Sequence, residues 1–294
     1  MKYKNDKQIF TTIGHDFGGA EELPLLTFDL LNGLEGFRHC FTTRKGGVSQ
    51  GVYESLNLSF TRGDDKEAVL ENYRRVASYF GKEPDDIVTS DQTHTTTVHE
   101  VGRPASGFGV TRPRAYSDVD GLITNTPGVV LATFYADCVP LYFVDPVHRA
   151  IGLSHSGWRG TVGRMAKATL SEMNLHYGTK PEDVYAAIGP SICKDCYEIS
   201  SDVAEAFSDA FPNHPEILED KGFPYGHTSN EVLDHKYQLD LWRANEVVLL
   251  DCGVKAEHIA VTNVCTCCNP NELFSHRIMG AKRGNLGAFL MIEE

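Results

Sequence analysis

Positions 129–160 read VVLATFYADCVPLYFVDPVHRAIGLSHSGWRG, and this stretch decides the fold. It holds three runs rich in β-branched and aromatic residues, 129–135, 140–144 and 149–155, which read as strands. Asp145-Pro146-Val147-His148 supplies the turn between the last two. Every run is apolar on both parities, so these strands are expected to be buried on both faces. Ser154-His155-Ser156-Gly157-Trp158-Arg159-Gly160 then leads into a helix predicted over 161–177, with Met165, Ala168, Thr169, Leu170 and Met173 as its apolar stripe.

Outward from this centre, strands are predicted at 25–31, 37–42, 120–124, 184–188, 258–264 and 287–292. Helices are predicted at 64–80, 201–211 and 239–250. Asp64 or Asp65 is placed to cap the first helix, where Val69, Tyr73, Val76 and Phe80 form one face. Positions 212–230 lack periodicity and read as a long loop or lid. Strands and helices alternate unevenly, which argues for an α+β fold of mixed β-sheets with helices outside, not a regular βαβ winding. No linker divides the chain, so one domain over 1–294 is expected.

The chain has 294 residues and a net charge of −13. That charge disfavours nucleic-acid binding, which needs a basic face, although a local basic pocket around Arg44 or Arg159 is compatible with it. No apolar run approaches the ~20 residues of a membrane span, and the N-terminus lacks an apolar signal core. A cytoplasmic protein with no membrane, nucleic-acid or obligate protein partner is expected.

Three residues stand where strand-like runs meet small or polar residues: His94, Cys138 and His155. Two imidazoles and a thiolate suit zinc, and three protein ligands leave a fourth tetrahedral position open, as in catalytic sites. Taken alone, each residue reads better as a small core cysteine or a hydrogen-bonded histidine than as a ligand. Gly157 and Gly160 would let backbone approach a ligand, and a helix N-terminus there would favour an anion. They would also suit an ordinary tight connection.

Eight cysteines in a cytosolic chain should be mostly reduced. Cys193 and Cys196, and Cys265, Cys267 and Cys268, form two groups that each contain a C-x2-C step. Such steps raise the alternative of a second, structural zinc. The stretch between the groups is far longer than in a zinc ribbon, so core packing and one zinc per chain are expected.

Several enzyme classes fall away. Gly47-Val-Ser49-Gln-Gly51 has the nucleophile-elbow spacing, but no helical stripe follows it. There is no P-loop or dinucleotide fingerprint after a strand, and no His-Glu-x-x-His. Neither C-x2-C pair follows a proline, as zinc base deaminases require.

The ordered motifs resemble a known family. They are His39-Cys-Phe-Thr-Thr-Arg-Lys-Gly-Gly, Gln92-Thr-His94, the 117–125 segment, Asp137-Cys138-Val-Pro140, the 154–160 loop, Ile188-Gly-Pro190 with Cys196-Tyr-Glu198, and Phe274-Ser-His-Arg277. Over roughly 37–292 the chain is similar to the YfiH-like, or laccase-domain, family, whose members are known as polyphenol oxidases, purine nucleoside phosphorylases or peptidoglycan editing factors. The resemblance implies α/β/β/α layers with the sheets face to face, shared with cytotoxic necrotizing factor. It implies zinc on His94, Cys138 and His155. It also implies phosphorolysis of purine nucleosides (adenosine, inosine, guanosine, methylthioadenosine), and it allows adenosine deamination as a side reaction. Thr95 and Asp195 depart from the family, where glycine and cysteine are common.

A copper oxidase is disfavoured, because the chain has twelve histidines and no His-x-His pair. Arg44 and Arg159 are the expected phosphate or substrate contacts. Asp137, beside a ligand, is expected to act with Cys138 and His155 by orienting a histidine. Two other readings stay open: a Cys138–His155 amidase acting on a cell-wall precursor, and a non-enzymatic zinc-stabilised partner protein.

Overall fold

Two six-stranded sheets carry the structure. Phe10–His15, Leu23–Phe28, Phe37–Thr42, Leu286–Ile292, Val130–Tyr135 and Ile87–Thr89 lie side by side in the first. Ile259–Val261, Tyr185–Ile188, Val139–Asp145, Ala150–Ser156, Gly121–Thr124 and Val98–Glu100 make the second. They are seen in a computed structural model that describes residues 1–18, 22–222 and 235–294. Both sheets are mixed. Ile87–Thr89 runs parallel to Val130–Tyr135, and Val98–Glu100 parallel to Gly121–Thr124, within otherwise largely antiparallel ladders.

Alternation along single strands sets the layers. Val139, Leu141 and Phe143 pack outward against Met165, Ala166, Leu170 and Met173 of the Met165–Tyr177 helix. Tyr142 and Val144 turn to the opposite face and share a core with Leu131, Leu286, Ala288 and Leu290 of the first sheet. On that sheet's outer side, Val130, Ala132, Phe289 and Met291 pack beneath Val69, Tyr73 and Val76 of the Lys66–Tyr79 helix. The order is therefore helix, sheet, sheet, helix. Burying such side chains contributes about 1.5–3 kcal/mol each. Tyr142 also donates from its hydroxyl to the Cys40 carbonyl at 2.9 Å, which satisfies its polar end inside the sandwich.

The elements depart from expectation in places. The helix predicted over 161–177 is two helices, Trp158–Val162 and Met165–Tyr177, because Arg164 takes a left-handed conformation (φ 60°) between them. Leu239 ends a strand, Lys236–Leu239, and the next helix begins at Leu241, where the Asp240 side chain accepts from the Arg243 N–H at 3.0 Å. That strand sits between Glu198–Ile199 and Leu218–Gly222 in a small third sheet. Part of the predicted 212–230 lid is thus a strand, and 223–230 lies outside the described residues. Among the described residues no helix is long and apolar enough to cross a membrane.

One connection positions the site. Ala136, Asp137 and Cys138 carry the chain from Val130–Tyr135 in the first sheet to Val139–Asp145 in the second. Asp137 makes the sharp crossing with φ 92°.

Candidate metal centre

Antiparallel pairing of Pro140 with His155 brings the start of one strand beside the end of another, and so Cys138 beside His155. The buried His155 places Nδ1 2.7 Å from Oδ1 of Asp120, a wholly buried carboxylate. Asp120 also accepts the backbone N–H groups of Thr93, His94 and Thr95 at 3.1, 3.2 and 2.8 Å, and the Thr95 hydroxyl at 3.0 Å. One carboxylate therefore orients His155 and holds the loop that carries His94. His94 itself has φ 68°. A non-glycine residue there costs of order 1–3 kcal/mol, and the bonds to Asp120 offset that strain.

The two imidazole rings lie 4.9 Å apart, nearly perpendicular. His94 Nε2 is 4.0 Å from Cys138 Sγ, and the donor atoms of His94, Cys138 and His155 all fall within 4.8 Å of one another. Gly157 permits this closeness, since a Cβ there would stand 2.8 Å from His94 Cδ2 and 3.3 Å from Cys138 Sγ. A Cβ at Gly160 would meet only ordinary contacts, so that glycine is not needed for ligand approach. The following helix has five residues, too few for the dipole-driven anion site its sequence suggested.

Charge is balanced within the trio. Burial pushes the Cys138 thiol up, but the charge and hydrogen bonding of His155, helped by His94, bring it down to about 6. Burial pushes His155 down, but Cys138 and Asp120 raise it to about 9. Burial likewise opposes ionisation of Asp120, yet its bonds from His155, Thr95 and Thr93 hold it below the usual carboxylate range. With Nδ1 of His155 committed to Asp120, Nε2 is the nitrogen left for a ligand. Two imidazoles and a readily formed thiolate, one histidine backed by a carboxylate, make a donor set that fits a borderline-soft metal.

Two clefts meet over this trio, of about 330 and 290 Å3. His94, Cys138, Ala136, Arg62 and Arg283 line both. Arg283 is buried, and Nη1 donates to the Gly284 carbonyl at 2.9 Å and to Asn285 Oδ1. Its Nε has no partner among the described residues. Burial, together with Arg62, lowers its pKa to about 10. Arg159 lies in the second cleft, 4.2 Å over the Trp158 ring, and no ion pair engages it among the described residues. Tyr197 and Arg277 complete that side.

Two expected contacts are corrected. Arg44 lines neither cleft. Its guanidinium donates to the Glu54 and Pro270 carbonyls at 2.7 and 2.9 Å and stacks 4.6 Å over Phe274, so it fastens loops together. Asp137 orients no histidine. Its carboxylate accepts from the Thr266 hydroxyl at 2.6 Å and the Arg277 N–H at 2.7 Å, which anchors the turn behind Cys138. Asp120 fills the role assigned to Asp137. It opens the strand expected over 120–124, and nothing in the sequence marks it as the partner of His155. Arg62 and Arg283 were also missed, since neither sits in a motif that marks it.

A His/Cys/His trio able to hold a metal, on this four-layer frame, belongs with a defined class. The chain is a member of the family described as multi-copper polyphenol oxidoreductase laccase, which matches residues 38–293. It is 35% identical over 255 residues to the purine nucleoside phosphorylase YlmD of Bacillus subtilis, covering 86% of this chain and 88% of that protein. It is 34% identical over 263 residues to the adenosine deaminase RL5 of an unknown prokaryotic organism, covering 89% and 96%. Among solved structures, the YfiH protein of Bacillus licheniformis superposes with a TM-score of 0.81 at 31% identity, covering 92% of this chain and 96% of that one.

Proposed function

We propose that the chain is a zinc-dependent purine nucleoside phosphorylase that also deaminates adenosine. The observation that carries this reading is the convergence of His94, Cys138 and His155 at the junction of two arginine-lined clefts. The names of the relatives at 34–35% identity support it. Zinc bound there would supply a Lewis acid beside the reacting bond.

The chain's own residues do the rest. Asp120 keeps His155 in one tautomer and fixes the His94 loop. Trp158 and Tyr197 offer aromatic faces to a purine. Arg159, with Arg62 and Arg283 of the cleft walls, would offer charge-assisted donors to a phosphate. Phosphate attacks C1′ of the ribose as the bond to the purine breaks, and the base leaves with a proton from solvent. Orientation of the two reactants in adjoining clefts lowers the barrier by removing the need for a chance encounter.

A second reading rests on one observation, the alignment Asp120–His155–Cys138, in which a carboxylate backs an imidazole beside a low-pKa thiol. That arrangement would also serve a cysteine amidase. Turnover of inosine and adenosine with and without phosphate, before and after chelation, separates the two. We expect inosine cleavage to need phosphate and to vanish with the metal. No nucleoside turnover by metal-loaded protein, with amide hydrolysis that survives chelation, would put the amidase first.

A further inference from the structure

Cys193 and Cys196 lie on a tight turn after the Tyr185–Ile188 strand, and Cys265 and Cys268 on another after Ile259–Val261. The spacing between the pairs speaks against a zinc ribbon, yet the two strands are parallel neighbours and deliver both turns to the same place. An isolated bridge joins Ser191 to Cys265, and Thr266 N–H donates to the Ser191 carbonyl at 3.1 Å. All four Sγ atoms lie within 4.8 Å of one another, with Cys196 and Cys268 3.5 Å apart across a separation of 72 positions.

We propose that Cys193, Cys196, Cys265 and Cys268 form a second metal site, a closed zinc tetrathiolate with a structural role. Zinc–sulfur bonds of about 2.3 Å in a tetrahedron place the sulfurs roughly 3.8 Å apart, within the spacing present here. The backbone is arranged for thiolates. Cys193 N–H and Cys268 N–H both donate to Cys265 Sγ, at 3.2 and 3.4 Å. Donors on sulfur are what a negatively charged ligand needs and what a packed neutral thiol does not. Four thiols release four protons to solvent on binding Zn2+, leaving a charge of −2 on the cluster. Lys4 lies within electrostatic reach of Cys193 and Cys268 and pairs with Asp195 at 2.6 Å beside them. The softness of four sulfurs selects zinc over harder cations.

The site has a clear mechanical consequence. Ile192 N–H donates to the Asp137 carbonyl at 2.9 Å, and Thr266 donates to the Asp137 carboxylate at 2.6 Å. Both donors belong to the turns that the metal would join. The tetrathiolate therefore holds the support beneath Cys138 without touching substrate.

The full chain, purified with a reductant and without chelator, tests this by elemental analysis. We expect zinc near two equivalents in the wild type and near one in both Cys138→Ala and Cys265→Ser, as each variant removes a different site. Because Cys265→Ser removes a buried thiol and can fail to fold, the deciding measurement uses Cys138→Ala, which keeps all four cysteines. Stripped of metal and titrated with Co2+ alone, it should take up one equivalent and develop the visible bands and sulfur charge-transfer absorption of tetrahedral tetrathiolate cobalt. Absence of that spectrum would overturn the proposal, as would a Cys196–Cys268 disulfide in the reduced preparation or iron in place of zinc.

Discussion

The two cysteine-bearing clusters differ in the way that separates working metal sites from supporting ones. His94, Cys138 and His155 supply mixed donors, and two clefts open onto them. Cys193, Cys196, Cys265 and Cys268 supply four like donors on two turns, and neither cleft opens onto any of the four. The first trio takes an orienting carboxylate, Asp120, and strained backbone at His94 and Asp137. The second has backbone N–H groups on the Cys265 sulfur and Lys4 nearby, with no carboxylate orienting a ligand in the same way. Coordination that leaves a position open is suited to substrate, and coordination that closes on itself is suited to stability.

The largest expected effect lies in the reactivity of the Cys138 thiol. Burial opposes a Cys138 thiolate, but His155 and His94 bring its pKa from 9.0 to about 6. A depressed pKa means the folded chain holds thiolate as soon as pH exceeds about 6. At pH 7 its thiolate fraction should be about a hundredfold that of a thiol at 9.0. Cys252, pushed up by burial, is the internal control. Alkylation followed by peptide mass analysis should show Cys138 labelling rise through about pH 6 and Cys252 only above the ordinary range. The associated stability is present above the unfolded value of 9.0 and fades as pH falls through about 6. His155, raised to about 9, contributes in the opposite sense: fully below 6.5, lost as pH rises through about 9. The two slopes largely cancel between those limits. A Cys138 midpoint near 9 would dissolve the pair and with it this side of the contrast.

Asp120→Asn should come next in size. The amide keeps the shape but loses the charge, and it turns an N–H2 toward donors that need an acceptor. Loss of such an orienting group typically lowers metal affinity or activity by roughly 10–100-fold. Chelator competition should register that loss at the mixed site, while the metal on the four cysteines keeps its affinity. Equal weakening at both would mean that Asp120 acts on the whole fold.

What the sequence discloses follows from local chemistry. Strands such as Val139–Asp145 are legible because burial on both faces leaves an unbroken apolar run. Lys236–Leu239 is not, since Lys236, Tyr237 and Gln238 are only partly buried and Lys-Tyr-Gln carries no strand signal. Ligands at abrupt strand ends, His94, Cys138 and His155, stand out by donor type. Their supports do not: Asp120 acts through a loop that the fold turns back on it, and the cysteine pairs meet only because two distant strands are parallel neighbours. Arg44 misleads for a similar reason, since one of its partners is the Pro270 carbonyl, remote in sequence.

Arg159→Ala should give the smallest effect, and it asks which arginine serves the open site. Arg159 is exposed beside Trp158, whereas Arg283 is buried in the wall that both clefts share. A charge-assisted contact contributes ~1.5–3 kcal/mol when desolvated, and solvent screening trims that at an exposed position. Arg159→Ala should therefore raise the phosphate concentration needed for half-maximal inosine cleavage by roughly tenfold, with zinc still bound. Adenosine deamination needs no phosphate and should change less. A larger phosphate effect from Arg283→Met than from Arg159→Ala would place the anion at the buried guanidinium. Equal loss of both reactions in Arg159→Ala, with the metal retained, would instead make Arg159 a support for Trp158, and the open site would then hold its anion without it.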